Sequence, residues 1–229
     1  MVTEIMYKTV LLTGASGGLG QAVLNKFLSA DYRIAVSRHD ETTGISAGNI
    51  LEIQADLTSE KSAGLFVQKA AADCGIISAA VLMVGGFAMG NIRETSESDI
   101  EKMFRLNFLT TWFTAQNVFL HMKKKGYGRI VLIGSKPGQQ PESGSDMVAY
   151  TLSKAQIFAL AELLNGSGYA SDVVTSVIVP GTIDTMANRK AMPDADFSKW
   201  VKPEKIADTI FYACNASKSE LKDPVFNMY

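Results

Sequence analysis

Tyr150 and Lys154 lie four residues apart in Ala149-Tyr150-Thr151-Leu152-Ser153-Lys154, a stretch that reads as helix. Four residues is about one helical turn, so both side chains share a face. A phenol has a reference pKa of about 10, too high for easy proton transfer at neutral pH. An ammonium group beside it favours the phenolate and lowers that value. On a pocket wall the pair is a general acid/base. Alone, the spacing equally describes a solvated helix face. Ser135, 15 residues before Tyr150, adds a hydroxyl at the end of a predicted strand.

The elements that must position these groups begin with a buried strand over residues 7–13, a short Val- and Leu-rich run bounded by glycine. Thr13-Gly14-Ala15-Ser16-Gly17-Gly18-Leu19-Gly20 follows, then a helix whose apolar face holds Ala22, Val23, Phe27 and Leu28. Strand, glycine-rich turn and helix make the context of a dinucleotide phosphate site. Glycines admit the pyrophosphate and the helix N-terminus offers N–H groups. A plain structural turn is the alternative. The second strand, 33–37, runs into Arg38. In such folds a carboxylate here suits the ribose 2′-OH of NAD and an arginine the 2′-phosphate of NADP. Arg38 therefore favours NADP(H) over NAD(H), unless it stacks on adenine or faces solvent. After a third strand, 50–54, come Asp56 and Leu57. Asp56 could bond the adenine amino group, or cap the helix expected over 59–74.

A fourth strand, 79–84, stops at Gly85-Gly86-Phe87, where glycines allow close backbone approach to a ligand. A long helix is expected over 98–125. Its apolar stripe is Ile100, Met103, Phe104, Phe108, Trp112 and Phe113, with Asn107 inside it. A buried mid-helix Asn needs hydrogen-bond partners. His121 reads as a surface residue. The fifth strand is 129–133, the Tyr150 helix 148–164 and the sixth strand 173–179, which leads into Pro180-Gly181-Thr182-Ile183-Asp184-Thr185. Residues 186–200 read as irregular, and a lid is expected at about 185–202. A last helix (203–214) and a strand (224–228) complete the chain. The alternation predicts one doubly wound parallel α/β sheet, a Rossmann fold of about seven strands with helices on both faces and one domain over 1–229. The glycine loop, Gly85-Gly86, Ser135 and Pro180-Gly181 all follow strands. They therefore converge on the carboxyl edge.

Composition sets bounds. The chain has 229 residues, 47% hydrophobic and 20% charged, with net charge −1. That profile gives no reason to expect a nucleic-acid partner. Two cysteines, Cys74 and Cys214, suggest neither a disulfide framework nor a zinc site. No signal h-region and no membrane-length apolar run is visible, so a cytoplasmic protein without metal or membrane partner is expected.

Together these residues resemble the short-chain dehydrogenase/reductase family over essentially the whole chain. The match runs through Thr13-Gly14-x-x-x-Gly18-x-Gly20, the ordered set Asn107, Ser135, Tyr150 and Lys154, and Pro180-Gly181-Thr182-Ile183-x-Thr185. The resemblance implies that Tyr150 exchanges a proton with the substrate oxygen and that Ser135 orients the carbonyl. Lys154 would lower the Tyr150 pKa and bond the nicotinamide ribose, Asn107 would hold a relay water behind Lys154, and Ile183 and Thr185 would hold the carboxamide. It also implies a homodimer or homotetramer built through helices 98–125 and 148–164.

Two departures stand out. Met83-Val84-Gly85-Gly86 replaces the usual Asn-Asn-Ala-Gly, and the C-terminal Gly-Gly is missing. Residues 85–87 and 184–200 are similar to one branch, the dihydropteridine reductases. Ser135 and Arg38 depart from that branch.

The leading expectation is an NADP-preferring oxidoreductase acting on a small, fairly apolar carbonyl or alcohol. Phe87, Met89, Met147, Met192, Phe197 and Trp200 are candidates for the substrate pocket, or else ordinary packing. Alternatives are quinonoid dihydropterin reduction and a nucleotide-sensing protein without turnover.

Overall fold

The computed structural model describes residues 8–39, 48–168 and 170–229. Tyr7, the first residue of the expected first strand, lies outside them. Seven parallel strands form one sheet: β1 (Thr9–Thr13), β2 (Arg33–Arg38), β3 (Ile50–Gln54), β4 (Ile77–Leu82), β5 (Tyr127–Ile133), β6 (Asp172–Pro180) and β7 (Val225–Met228). Their order is 3-2-1-4-5-6-7. Strands buried on both faces need apolar residues at successive positions, which is why β1 and β4 read as continuous hydrophobic runs.

Alternate residues feed two cores. Leu11, Ala80, Ile130, Leu132 and Val177 face one side. There they meet α2 (Glu60–Cys74), α4 (Thr110–Lys125) and α6 (Val148–Ser167). Val10, Leu12, Ile34, Val81 and Ile178 face the other. Their partners are α1 (Gly18–Leu28) and α8 (Pro203–Asn215). The doubly wound Rossmann architecture is thus the one expected.

Several local expectations are corrected. The helix 98–125 is three pieces: α3 (Glu97–Met103), a π-helical turn (Phe104–Leu109) and α4. Its stripe is not the buried face. Met103 is buried, but Phe104 is exposed, and Phe108, Trp112 and Phe113 are only half-buried. Asn107, Thr110, Thr111 and Thr114 point inward instead. The three threonine hydroxyls donate to carbonyls four residues back, at 2.7–2.9 Å. Those bonds satisfy polar groups that would otherwise be costly to bury.

Strand β4 leaves the sheet at Leu82, because the Met83 N–H donates to Thr13 Oγ1 (3.0 Å). Helix α6 runs past Asn165-Gly166, because Asn165 faces β6 and exchanges two bonds with the Thr175 backbone (2.7 and 2.9 Å). His121 is not a free surface residue: its Nε2 accepts the Ile77 N–H at 3.3 Å.

Short helices α5 (Lys136–Gln139) and α7 (Met186–Ala191) and 3₁₀ turns at Pro141–Gly144 and Phe197–Lys199 were not expected. Thr185 caps α7 by accepting the Asn188 N–H at 3.2 Å. Cys74 and Cys214 are buried free thiols. Among the described residues no helix is long and apolar enough to cross a membrane, and no His, Cys, Asp and Glu cluster could hold a metal.

Candidate active site

The glycine loop leaves β1 at the carboxyl edge. Gly14 has φ +70°, which an L side chain rarely adopts, and its Cα lies against the Met83–Val84 peptide. Gly20 is tighter still: a Cβ there would overlap the Gly14 carbonyl oxygen and lie 2.7 Å from Ala15 Cα. The N-cap of α1, Gly17, supplies no side-chain acceptor, and the first turn holds no acid. These N–H groups and the positive end of the helix dipole suit a pyrophosphate. Ser16 and Gly18 are exposed, and Leu19 is buried in the core. Gly18 also meets the other edge of the site, since a Cβ there would lie 2.7 Å from Thr185 Cγ2.

Gly20→Ala should therefore displace the loop while the sheet stays intact. Overpacking of this kind costs about 1–3 kcal/mol. Cofactor affinity should fall roughly 10- to 100-fold. Fluorescence titration measures it, and an unchanged Kd would remove the loop from the binding site.

Helix α6 carries Tyr150 and Lys154 on one face, and β5 delivers Ser135 beside them. The Ser135 hydroxyl oxygen accepts the Gly138 N–H (3.1 Å), capping α5, and Ser135 lies close enough to Tyr150 to act on its proton affinity. Lys154 Nζ donates to the Ile133 carbonyl at 2.8 Å. Burial pulls the Lys154 ammonium down to about 8. Burial likewise holds the Tyr150 phenol above its ordinary value, and the neighbouring Ser135 opposes that rise. The expected lowering of Tyr150 by Lys154 is thus corrected. In a low-dielectric site both charged forms are disfavoured, and the Ile133 carbonyl takes one of the Lys154 donors.

Asn107 sits in the π-helical turn, and such turns often occur at functional sites. It is fully buried. Its Oδ1 accepts the Gly86 N–H (2.7 Å), while its Nδ2 donates to Gly86 O (3.1 Å) and Ser153 Oγ (2.9 Å). Ser153 in turn donates to the Tyr150 carbonyl at 2.7 Å. A single amide therefore joins the loop after β4 to the Tyr150 helix. This answers the missing Asn-Asn-Ala-Gly: Asn107 and Thr13 support that loop. Gly85 is needed there, since a Cβ would lie 2.8 Å from Asn107 Oδ1 and 3.5 Å from Lys154 Nζ.

At the adenosine end, Arg38 Nε lies 3.5 Å from Glu52 Oε2 on β3, and both side chains are part-buried. Asp56 Oδ1 accepts the Thr58 N–H and hydroxyl (2.9 and 2.7 Å), and these bonds hold its carboxyl below the usual range. Asp56 therefore forms a turn, and the cap of α2 is Ser59. Leu57 is buried in the core.

Pro180 ends β6, and the Gly181 N–H donates to Met228 O at 3.1 Å. The two ends of the next segment meet: the Val201 N–H donates to Thr182 O and the Asp184 N–H to Val201 O, both at 2.9 Å. The Ile183 carbonyl accepts from Asn188 Nδ2 at 2.8 Å. Asp184 holds Arg189 in a two-pronged pair (2.6 and 2.8 Å). Arg189 stacks 4.8 Å over Phe197, whose ring lies 4.7 Å from Trp200.

Among the pocket candidates, Phe87 reaches Tyr150, with ring centroids 5.1 Å apart. Gly90 bridges to Met147 in backbone pairing, which ties the Phe87 loop to the start of α6. Phe197 and Trp200 form a separate pair, and Met89 and Met192 are exposed. Sequence reasoning missed two residues here. Ser153 offered no chemistry of its own, and Tyr229 gave no signal that it folds back onto Gly181.

A family profile described as short chain dehydrogenase matches residues 8–196. D-beta-hydroxybutyrate dehydrogenase of Rhizobium meliloti (strain 1021) is 24% identical over 215 residues, covering 90% of this chain and 83% of its own length. Acetoacetyl-CoA reductase of Acinetobacter sp. (strain RA3849) is 27% identical over 184 residues, covering 76% and 73%. A solved structure described as ElxO with NADP bound superposes with TM-score 0.89 at 22% identity, over 97% of each chain. The profile spans both the glycine loop and the Ser135/Tyr150/Lys154 cluster, so the chain belongs to the short-chain dehydrogenase/reductase family and is an NAD(P)-dependent oxidoreductase.

Proposed function

We propose that this protein reduces a small carbonyl compound with NADPH, or oxidises the matching alcohol, using Tyr150 as the general acid/base. The observation that carries the reading is the placement of Ser135 close to Tyr150, one helical turn from a buried Lys154. The nicotinamide cofactor, when bound, supplies or accepts the hydride. The chain does the rest. Gly14, Ser16, Gly18, Leu19 and Gly20 present backbone to the pyrophosphate. Arg38, Asp56 and Leu57 meet the adenosine, and Gly85, Pro180, Gly181, Ile183 and Thr185 flank the nicotinamide with Lys154. Tyr150, protonated at neutral pH, donates to the developing alkoxide. Ser135 donates to the same oxygen and stabilises its charge. Asn107 and Ser153 hold the Gly85-Gly86 loop and the Tyr150 turn in register. The segment 185–202 acts as a lid, braced by Asp184–Arg189, that lowers Met192, Phe197 and Trp200 toward Phe87 and Met147.

NADPH is favoured because Arg38, not a carboxylate, ends β2. Solved structures of similar fold hold NADP and NADPH, which supports the reading. Glu52 beside Arg38 orients the guanidinium and also competes with the phosphate for it. Fluorescence titration of both cofactors tests this. Arg38→Asp should weaken NADPH roughly 10- to 100-fold and spare NADH. A wild type that prefers NADH would overturn the choice.

The lid favours one second reading, reduction of a quinonoid dihydropterin, because the braced Asp184–Trp200 segment carries that resemblance. Turnover of that substrate but of no simple ketone would establish it. The exposed apolar side chains Phe104, Leu120, Leu152 and Leu163 lie on the π-helical turn, α4 and α6. They suit the burial between copies of this chain that a dimer or tetramer would provide, which sizing tests.

A further inference from the structure

Helix α5 has four residues, too few to hold a helical shape by itself. Ser135 is its N-cap. The Ser135 hydroxyl oxygen accepts the Gly138 N–H and its carbonyl accepts the Gln139 N–H, both at 3.1 Å. The placement of that hydroxyl is therefore tied to the placement of α5. On one side α5 rests on the Tyr150 helix. Gly138 is buried, and a Cβ there would lie 2.8 Å from both the carbonyl carbon and the Cβ of Lys154.

Tyr229 holds another side. Lys136 stands three and four residues before Gln139 and Gln140, so the three share a face of the turn. The Lys136 ammonium lies 4.8 Å from the centroid of the Tyr229 ring. The Tyr229 hydroxyl donates to Gln139 Oε1 (3.1 Å) and accepts from Gln140 Nε2 (3.3 Å). One aromatic side chain thus grips α5 at its first residue and at its end. Tyr229 is itself seated by the sheet, since β7 pairs with β6. The Gly181 N–H donates to the Met228 carbonyl (3.1 Å), and a Cβ at Gly181 would lie 3.2 Å from Tyr229 Cβ. Each of these half-exposed contacts is weak singly. They all act on one short helix, however, and that helix carries Ser135 at its start.

We infer that Tyr229 is a positioning residue: by bracing α5 against the Tyr150 helix it fixes the hydroxyl of Ser135. With the Ser135 oxygen held as the acceptor of the Gly138 N–H, its proton is left to be donated. Tyr229 acts through α5 and touches no reacting atom. The consequence for turnover rests on the proposed role of Ser135, whereas the brace itself is read without turnover.

Amide hydrogen exchange of the full chain, followed by NMR, reads the Gly138 N–H directly. Tyr229→Leu should speed that exchange at least about tenfold, while the Leu11 N–H in the centre of the sheet stays within about twofold of wild type. Tyr229→Phe should speed it less, because its ring still lies against Lys136 and Gly181. With NADPH and ethyl acetoacetate, a small apolar keto ester, Tyr229→Leu should lower kcat about three- to tenfold, and in a Ser135→Ala background it should cost nothing further. Unchanged exchange at Gly138, or an equal rise at Leu11, would overturn the brace. The same kcat loss with and without the serine would overturn its action through Ser135. A Ser135→Ala enzyme as fast as wild type would instead remove the catalytic reading, and the exchange rates would still decide the role of Tyr229.

Discussion

Tyr150→Phe should lower kcat for carbonyl reduction by about a thousandfold, within the range that a positioned general acid contributes. The substitution removes one oxygen and keeps the ring. The edge contact with Phe87 at 5.1 Å survives, and so does the Ser153 bond to the residue-150 carbonyl. NADPH affinity should therefore change less than about threefold, since no phosphate contact is touched. Steady-state rates and a parallel cofactor titration separate the two effects. The pH dependence has a definite sign. Burial holds the Tyr150 phenol above its ordinary value, so the proton is in place for reduction throughout the neutral range. Alcohol oxidation needs the phenolate, so its rate should climb as pH rises. A variant that turns over as fast as wild type would remove Tyr150 from the reaction.

The second large effect is structural and lies at the opposite end of β5. Among the described residues Arg129 is the bulkiest fully buried side chain, only 1% exposed. Its Nε donates to Ala216 O at 2.8 Å, and one terminal nitrogen donates to Gly128 O and Asp172 O, both at 2.9 Å. The same nitrogen pairs with the Asp172 carboxylate at 2.9 Å, and the guanidinium stacks 4.5 Å over Tyr127. One side chain thus closes β5, β6 and the end of α8 together. Arg129→Met keeps the stem volume and strips donors from three carbonyls. Each buried acceptor left without a partner costs about 1–3 kcal/mol. The half-exposed Asp172 can return to water, so a total loss of about 3 kcal/mol is expected by urea denaturation. The folded variant should keep its kcat, since the catalytic edge is at the far end of the strand. A loss below about 1 kcal/mol would mean the guanidinium is replaceable by packing alone.

Much of the fold was legible because it depends on pattern. Runs such as Thr9–Leu12 and Ala79–Leu82, short, apolar and followed by glycine, read as strands buried on both faces, and the glycine loop follows the first of them. The candidate catalytic residues stood out for a related reason: an acid/base pair at helical spacing and a serine at a strand end declare their chemistry by type.

What stayed hidden depends on contacts between distant segments. The π turn at Asn107 is set by its bonds to Gly86, 21 residues away. No local pattern in 98–125 distinguishes it from an α-helix. The same holds for the inward threonines, which read as polar and are buried because each hydroxyl returns to the helix backbone. Arg38 was visible, but its partner Glu52 arrives from another strand. The direction of the Tyr150 shift was misread because helical spacing reports proximity to Lys154 and not burial. Tyr229 reaches Gly181 only because β7 pairs alongside β6, far from it in sequence. The Thr185 and Asp196 caps were local, and closer reading of Thr-x-x-Asn and Asp-x-Ser could have found α7 and the 3₁₀ turn.

Direct hydride transfer to a carbonyl carbon, with Tyr150 supplying the proton, is the step on which the proposed function turns. The most direct test is mass spectrometry of the alcohol formed from acetoacetate and a panel of simple ketones, using NADPH deuterated at the transferring face of C4. Wild type should place one deuterium in the product carbinol, and Tyr150→Phe loaded with the same cofactor should give no labelled product above background. Unlabelled alcohol from wild type, or labelled alcohol formed equally fast by the variant, would contradict it.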